Sequence, residues 1–262
     1  MVAIAKFSRD DIFDAVKLMY TTVANDPDRG FHFPTGRAAC EFLGYPATQL
    51  DAIPATAVES FAGVGYPFRC GVIGPGDTVL DIGAGSGTDA LIAALLVGPK
   101  GKIYGLDMTR AMHEKLRYNA AQLGVAHVEP LLGNAETIPL ADASVDVVTS
   151  NGVLNLVPDK IKAYAEIFRI LQPGGRIQIS DIVITKHLDD LEASRDNPRL
   201  WAECIVGAMH GEELLDSFRA AGFTDLTMHD ETDYFARSPA DSTRGTAEYF
   251  GAVSVTISGK KP

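Results

Sequence analysis

An acid, Asp81, stands two residues ahead of three alternating glycines, Gly83, Gly85 and Gly87, and a second acid, Asp89, closes the run. The β-prone trio Thr78-Val-Leu80 precedes it, and the apolar stretch Ala90-Leu-Ile-Ala-Ala-Leu-Leu-Val97 follows. That order reads as a buried parallel strand, a tight bend and a helix, the opening unit of a nucleotide-binding α/β sheet. Glycine is needed where backbone must turn sharply and let a ligand touch bare main chain. A dinucleotide fingerprint reads G-x-G-x-x-G and seats a pyrophosphate on the helix N-terminus. Here Thr88 occupies the position of that third glycine. An anionic side chain beside the bend repels a pyrophosphate and suits a cationic ligand.

Polar or small residues follow three more strand-like runs, where ligands of open α/β sheets lie. Asp107 ends the second run and can accept hydrogen bonds from both hydroxyls of a ribose; its neighbour Met108 offers an apolar face to a base. Asn134-Ala135-Glu136 follows the third run, where a polar pair can read an adenine amino group. Ser150-Asn151-Gly152 follows the fourth and faces the reacting end. Taken singly, each is an ordinary turn former. Together with the glycine bend they describe one site for a positively charged, nucleoside-bearing cofactor. S-adenosylmethionine, with its sulfonium and ammonium, fits that description.

The elements that must hold these residues alternate regularly. Strands are expected over Lys102–Asp107, His127–Leu132, Val145–Ser150 and Arg176–Val183, and helices over Arg110–Leu123 and Lys160–Leu171. Thr109 can cap the first of these helices and Gly124 stop it, while Gln172-Pro-Gly-Gly175 ends the second. Such alternation predicts α/β architecture, a doubly wound, mostly parallel sheet. Three parts are expected: an N-terminal helical lid over residues 1–73, a cofactor-binding core over 74–183, and a C-terminal α/β extension over 184–262. The lid carries helices at Asp10–Met19 and Gly36–Leu43, separated by a Gly-, Pro- and Asp-rich loop bearing Phe31, His32 and Phe33. Its rings either form a structured lid or pack on the protein's own core. The extension carries helices near 200–209 and 212–221 and strands near Leu226 and at Val253–Ser258.

The chain has 262 residues, 46% of them hydrophobic, enough for one large domain with an appended lid. A formal charge of −11 argues against a nucleic-acid partner, which calls for clustered Lys and Arg. The longest apolar stretch, Ala90–Val97, falls far short of the roughly 20 residues that span a bilayer. The N-terminus turns polar too early for a signal peptide. Cys40, Cys70 and Cys204 form neither a disulfide framework nor a zinc spacing. A cytoplasmic protein acting on a small molecule is expected, with no membrane or metal requirement; a homo-oligomer is left open.

From Asp77 to Val183 the pattern resembles the class I methyltransferases, whose fold is Rossmann-like. Val97–Thr109, Ser150–Lys160, Leu171–Ile182, Trp201–Ala208 and Glu213–Phe223 narrow the resemblance to the arsenite methyltransferase family. That resemblance implies S-adenosylmethionine as cofactor, held by Gly63, Asp81, Gly83, Gly85, Gly87, Asp107, Met108, Asn134, Ala135, Glu136 and Asn151. It also implies an acceptor pocket containing Tyr66, Asn151, Asn155 and Cys204. The family holds trivalent arsenic through thiolates, soft ligands for a soft metalloid. Two of its three cysteine positions are changed here, to Val64 in Gly63-Val-Gly-Tyr-Pro67 and to Gly152 in Ser150-Asn-Gly152. Only Cys204 matches, with Cys70 six residues beyond Val64.

Methyl transfer to a small-molecule acceptor by in-line displacement is therefore the leading reading. Arsenite methylation through Cys204, Cys70 and an external thiol is a second, and a non-catalytic S-adenosylmethionine-binding module a third. A nicotinamide oxidoreductase is a fourth. No catalytic residue is singled out; His32, Tyr66, Asp181 and His210 are candidate bases only if the acceptor carries a proton to be removed.

Overall fold

The short apolar run after Asp77 becomes the middle of a sheet because both of its faces find cover. In the computed structural model, which describes residues 8–186, 205 and 207–262, β1 (Thr78–Ile82) is flanked in parallel by β2 (Lys102–Asp107) and β4 (Val145–Asn151). Val79 of β1 belongs to one hydrophobic core, and Leu80 and Ile82 to the core on the opposite face. The remaining strands are β3 (Val128–Leu132), β5 (Leu171–Ile184), β6 (Met209–His210), β7 (Thr224–Thr232) and β8 (Ala252–Lys260). Their order is β3-β2-β1-β4-β5-β8-β7, with β6 pairing beside β5. Only β8 runs antiparallel to its neighbours, β5 and β7. The sheet is thus doubly wound and mostly parallel, as the alternation predicts. Its strand order reverses between β1 and β4, and ligand crevices form at such a reversal.

Before the sheet come α1 (Arg9–Asn25), α2 (Gly36–Phe42), α3 (Ala47–Leu50) and α4 (Ala55–Val58). A reciprocal cap starts α1: the Ser8 hydroxyl accepts from the Asp11 N–H, and the Asp11 carboxylate accepts from the Ser8 N–H. This helix continues past Met19, where the expected one stops, because Val23 and Ala24 are buried. Phe31 and Phe33 of the next loop are buried as well and stack on each other at 5.6 Å, so these rings serve the core.

Interspersed with the strands along the chain come α5 (Thr88–Val97), α6 (Arg110–Leu123), α7 (Lys160–Ile170), α8 (Gly211–Ala220) and α9 (Asp241–Phe250). α5 is buried on nearly every side, whereas α6 buries only the stripe Met112, Leu116, Ala120. Gln172–Gly175, expected as a turn, lies within β5, because Leu171 already pairs with Val145 across a register shift. α9 was not expected; its weak helix formers are compensated by burial of Thr243, Ala247 and Phe250. Of the helix expected near 200–209, residues 200–204 and 206 lie outside the described residues; Ile205, Gly207 and Ala208 are not helical, and Met209 is in β6. Among the described residues no helix is long and apolar enough to cross a membrane.

Candidate functional site

The carboxyl ends of β1, β2 and β4 and the turn after β3 open into one cleft of about 930 Å³, its open mouth included. β1 and its bend contribute Asp81 to Ser86, β2 contributes Leu106 to Thr109, the turn contributes Gly133 to Ala135, and β4 contributes Asn151 to Val153. Phe13, Val16 and Tyr20 of α1 close it from above, and Ser60 to Gly63 from the side. Among the described residues lining it there is no lysine, arginine or histidine.

The bend is held from three directions. Gly83 and Ala84 donate their N–H groups to the Leu106 carbonyl, at 2.7 and 3.0 Å, and Gly85 donates to the Asp107 carboxylate at 2.9 Å. The Ser86 and Thr88 hydroxyls donate to the Ala57 carbonyl at the end of α4. From α6, Asn119 donates its amide to the Ser86 carbonyl. Gly85 has φ +55°, and a Cβ there would meet only the Gly83 carbonyl, 3.9 Å away, so bare backbone faces the cleft. At Gly87, φ is +104° and a Cβ would come within 2.5 Å of Leu116, so this glycine lets α5 and α6 pack closely.

Three carboxylates face the same space, Asp81 and Asp89 buried and Asp107 half-buried. Asp107 accepts from the Gly85 and Thr109 N–H groups, which orients it and leaves lone pairs over. Asp89, in the first turn of α5, accepts from the Tyr45 hydroxyl at 2.5 Å and the Asn151 amide at 2.9 Å. Asp81 is 2% exposed, and its Oδ2 has no hydrogen-bond partner. Burial pushes the Asp89 carboxyl up to about 6, against the pull of Tyr45 and Asn151. It drives Asp81 far above the usual carboxylate range, with Asp89 and Asp107 adding repulsion. Asp107 is raised by burial too. A buried carboxylate needs a compensating charge. The described lining supplies none, so the cleft is built for a cation.

A family model described as a methyltransferase domain matches residues 73–222. The chain belongs to the S-adenosylmethionine-dependent, arsenite methyltransferase-like family. It is 38% identical over 231 residues to an arsenite methyltransferase of Halobacterium salinarum, covering 87% of this chain and 57% of that one. The human arsenite methyltransferase is 35% identical over 169 residues, covering 60% of this chain and 44% of its own length. The chain therefore spans about half the length of these curated relatives. An arsenic(III) S-adenosylmethionine methyltransferase from Chlamydomonas reinhardtii superposes with a TM-score of 0.64 at 31% identity, covering 87% of this chain and 74% of that one. A phosphoethanolamine N-methyltransferase from Haemonchus contortus shares the fold at 18% identity, with a TM-score of 0.61 and coverage of 86% and 60%.

The family's cofactor fits this cleft: an unpartnered buried carboxylate oxygen, a glycine bend open to the space, and no competing cation in the described lining. Of the residues expected to hold it, Gly63, Asp81, Gly83, Gly85, Asp107, Met108, Asn134, Ala135 and Asn151 line the cleft. Four expected residues lie elsewhere. Gly87 sits under α6, as described. Glu136 is fully buried behind the β3 turn, where it accepts from the Asp159 N–H and pairs with the Arg9 guanidinium. Tyr66 packs its ring on Tyr45 at 4.7 Å and donates its hydroxyl to Gln49. Asn155 is on a 3-10 turn whose N–H donates to Asp181, outside the lining.

Asn151 reaches the cleft with its amide already engaged. Its Oδ1 accepts from the Val64 and Gly65 N–H groups, and its Nδ2 donates to the Gly65 carbonyl and Asp89. Cys204 lies outside the described residues. Cys70 is beside Arg69 and Asp230 and does not line the cleft; burial raises its thiol to about 11, a poor thiolate source. None of His32, Asp181 and His210 lines it either. Sequence reasoning missed the α1 face (Phe13, Val16, Tyr20) and Asp89. The three-to-four-residue spacing of the first group and the acidic first-turn position of the second were the available signals.

Proposed function

We infer that this protein transfers a methyl group from S-adenosylmethionine to a small-molecule acceptor. The observation that carries the reading is the unpartnered, buried Asp81 oxygen at a glycine bend, with Asp107 one strand away. When bound, S-adenosylmethionine supplies an electrophilic methyl on a sulfonium. Asp107 offers acceptors to the ribose, Met108 and Ala135 an apolar slot for the base, and the Asp81 region the counter-charge. The α1 face and Phe61 exclude water from the reacting end. Alignment of this kind is worth on the order of 7–11 kcal/mol, so no covalent participation by the chain is required. Residues 1–73 act as a cap, 74–183 as the donor-binding core and 184–262 as the completing extension, in a cytoplasmic setting that suits the acidic chain.

Calorimetry tests the donor site first. Wild-type protein is expected to bind S-adenosylmethionine and S-adenosylhomocysteine, and Asp107→Ala to weaken both at least tenfold with the fold retained. A folded protein without affinity for either ligand sinks the reading. Formation of S-adenosylhomocysteine with an acceptor panel then separates an enzyme from a non-catalytic binding module.

The relatives named for arsenite favour one specific member of that panel, arsenite with glutathione. Cys204 is the matching thiol for that reading. Against it, Val64 is 1% exposed, and a Cβ on Gly152 would lie 3.0 Å from Val64 Cγ1. Methyl groups therefore fill the ground where the family's other two thiolates belong. A small organic acceptor is the reading that the loss of both thiol positions favours. Arsenite turnover abolished by Cys204→Ser would reverse that preference.

A further inference from the structure

Asp81 and Asp89 belong to neighbouring segments, the end of β1 and the first turn of α5, and both line the cleft. Asp89 is fixed by Tyr45 and Asn151, whereas Asp81 keeps an unpartnered oxygen at 2% exposure. The titratable groups facing them are Asp107 from β2, Cys40 from α2, and Tyr45 and Tyr66 from the N-terminal segments; His113 of α6 faces Asp107. None of these supplies a fixed positive charge to the pair. Arg37, the cation that acts on Cys40, is engaged with Glu41 and Asp51. Two carboxylates crowded together in a low-dielectric site do not both ionise unless a cation joins them.

We propose that Asp81 and Asp89 form a proton-exchanging pair that holds a proton in the free protein and releases it to solvent when a cationic methyl donor binds, so that the cleft prefers donor to demethylated product by charge. The proposal rests on the methyl-donor reading and deepens it. S-adenosylmethionine carries a sulfonium and an ammonium; S-adenosylhomocysteine keeps only the ammonium. Loss of the sulfonium charge lets the pair regain its proton, which favours exchange of spent product for fresh donor. Tyr45 is a positioning residue, since its hydroxyl favours the ionised form of Asp89.

The test is calorimetric titration of the whole chain with each ligand between about pH 5 and about pH 8, in phosphate and in an amine buffer. Different buffer ionisation heats reveal the protons released. Displacement of one proton predicts donor affinity that falls about tenfold per pH unit below the pair's midpoint and levels off above it. Donor should release more protons than product. Asp89→Asn should abolish the release near that midpoint and narrow the donor-over-product ratio. Tyr45→Phe should move the midpoint to higher pH. Ligand binding without pH dependence or proton release, or equal release by donor and product, overturns the proposal. Failure of either ligand to bind is a different result, which removes the donor-site reading itself. Should a variant not fold, the wild-type titrations still decide.

Discussion

Asn151 joins three parts of the protein through one amide. Its oxygen takes the N–H groups of Val64 and Gly65 at 2.8 and 3.0 Å, and its nitrogen reaches Gly65 O and Asp89, each at 2.9 Å. The Tyr45 hydroxyl lies 3.0 Å from the same nitrogen. Only a primary amide offers acceptor and donors in this arrangement; a carboxylate would place a further negative charge against Asp89. Asn151→Ala is expected to strand two backbone donors and one carboxylate oxygen, at a cost of about 2–4 kcal/mol in urea denaturation. Because Gly63 lines the cleft just before the anchored pair, the Kd for S-adenosylhomocysteine should rise as well. A variant with unchanged stability and affinity would show that the anchor is dispensable.

At the scale of elements, α1 acts as a cover with differently secured ends. Near its C-terminus the Lys115 ammonium donates to the Ala24 carbonyl and to Ser60, and the Ser60 hydroxyl donates to the Val23 carbonyl. At its N-terminus the exposed Arg9 reaches the fully buried Glu136. Arg9→Ala leaves that carboxylate buried without its cation, a change of about 3–5 kcal/mol where such pairs have been broken. Faster hydrogen exchange in α1, with α5 and β1 unaffected, is the expected readout. Unaltered exchange would remove the ion pair from the account. This contact also marks the limit of what the sequence discloses. Strand-bend-helix units with strong local signals, from Thr78 through Ile184, are readable from periodicity and glycine placement, and so are Asp81, Asp107 and Met108 at their ends. Glu136 was misplaced because its role depends on a partner 127 positions away along the chain, Arg9 (136 − 9 = 127). Asn155 and Tyr66 show the same failing: their segments are recognisable, but side-chain direction is set by packing against Asp181 and Tyr45. Weak local propensity likewise hid α9, a helix held by burial.

At the scale of the whole molecule, an acidic chain of net charge −11 holds four carboxyls with raised pKa values: Asp81, Asp89 and Asp181, all buried, and the half-buried Asp107. Desolvation is the leading cause at each. A raised carboxyl keeps a proton in the fold that the unfolded chain has already lost. Its contribution to stability is therefore intact below the unfolded-state value and disappears as the pH climbs through the folded-state one. For Asp89 that window runs from 3.8 to about 6, which corresponds to roughly 3 kcal/mol at neutral pH. Asp89→Asn removes this penalty. Relative to wild type, the ligand-free variant should match or lag near pH 4 and gain steadily towards pH 7, in urea midpoints measured across that range. Parallel curves would mean that the carboxyl is not strained by burial. Saturating S-adenosylmethionine should shrink or invert the gain, because a ligand's stabilisation of the fold grows with the logarithm of its concentration over Kd, and Kd is lower where the counter-charge remains. The instability of the free cleft and its affinity for a cation thus have one cause, the uncompensated charge beneath the glycine bend.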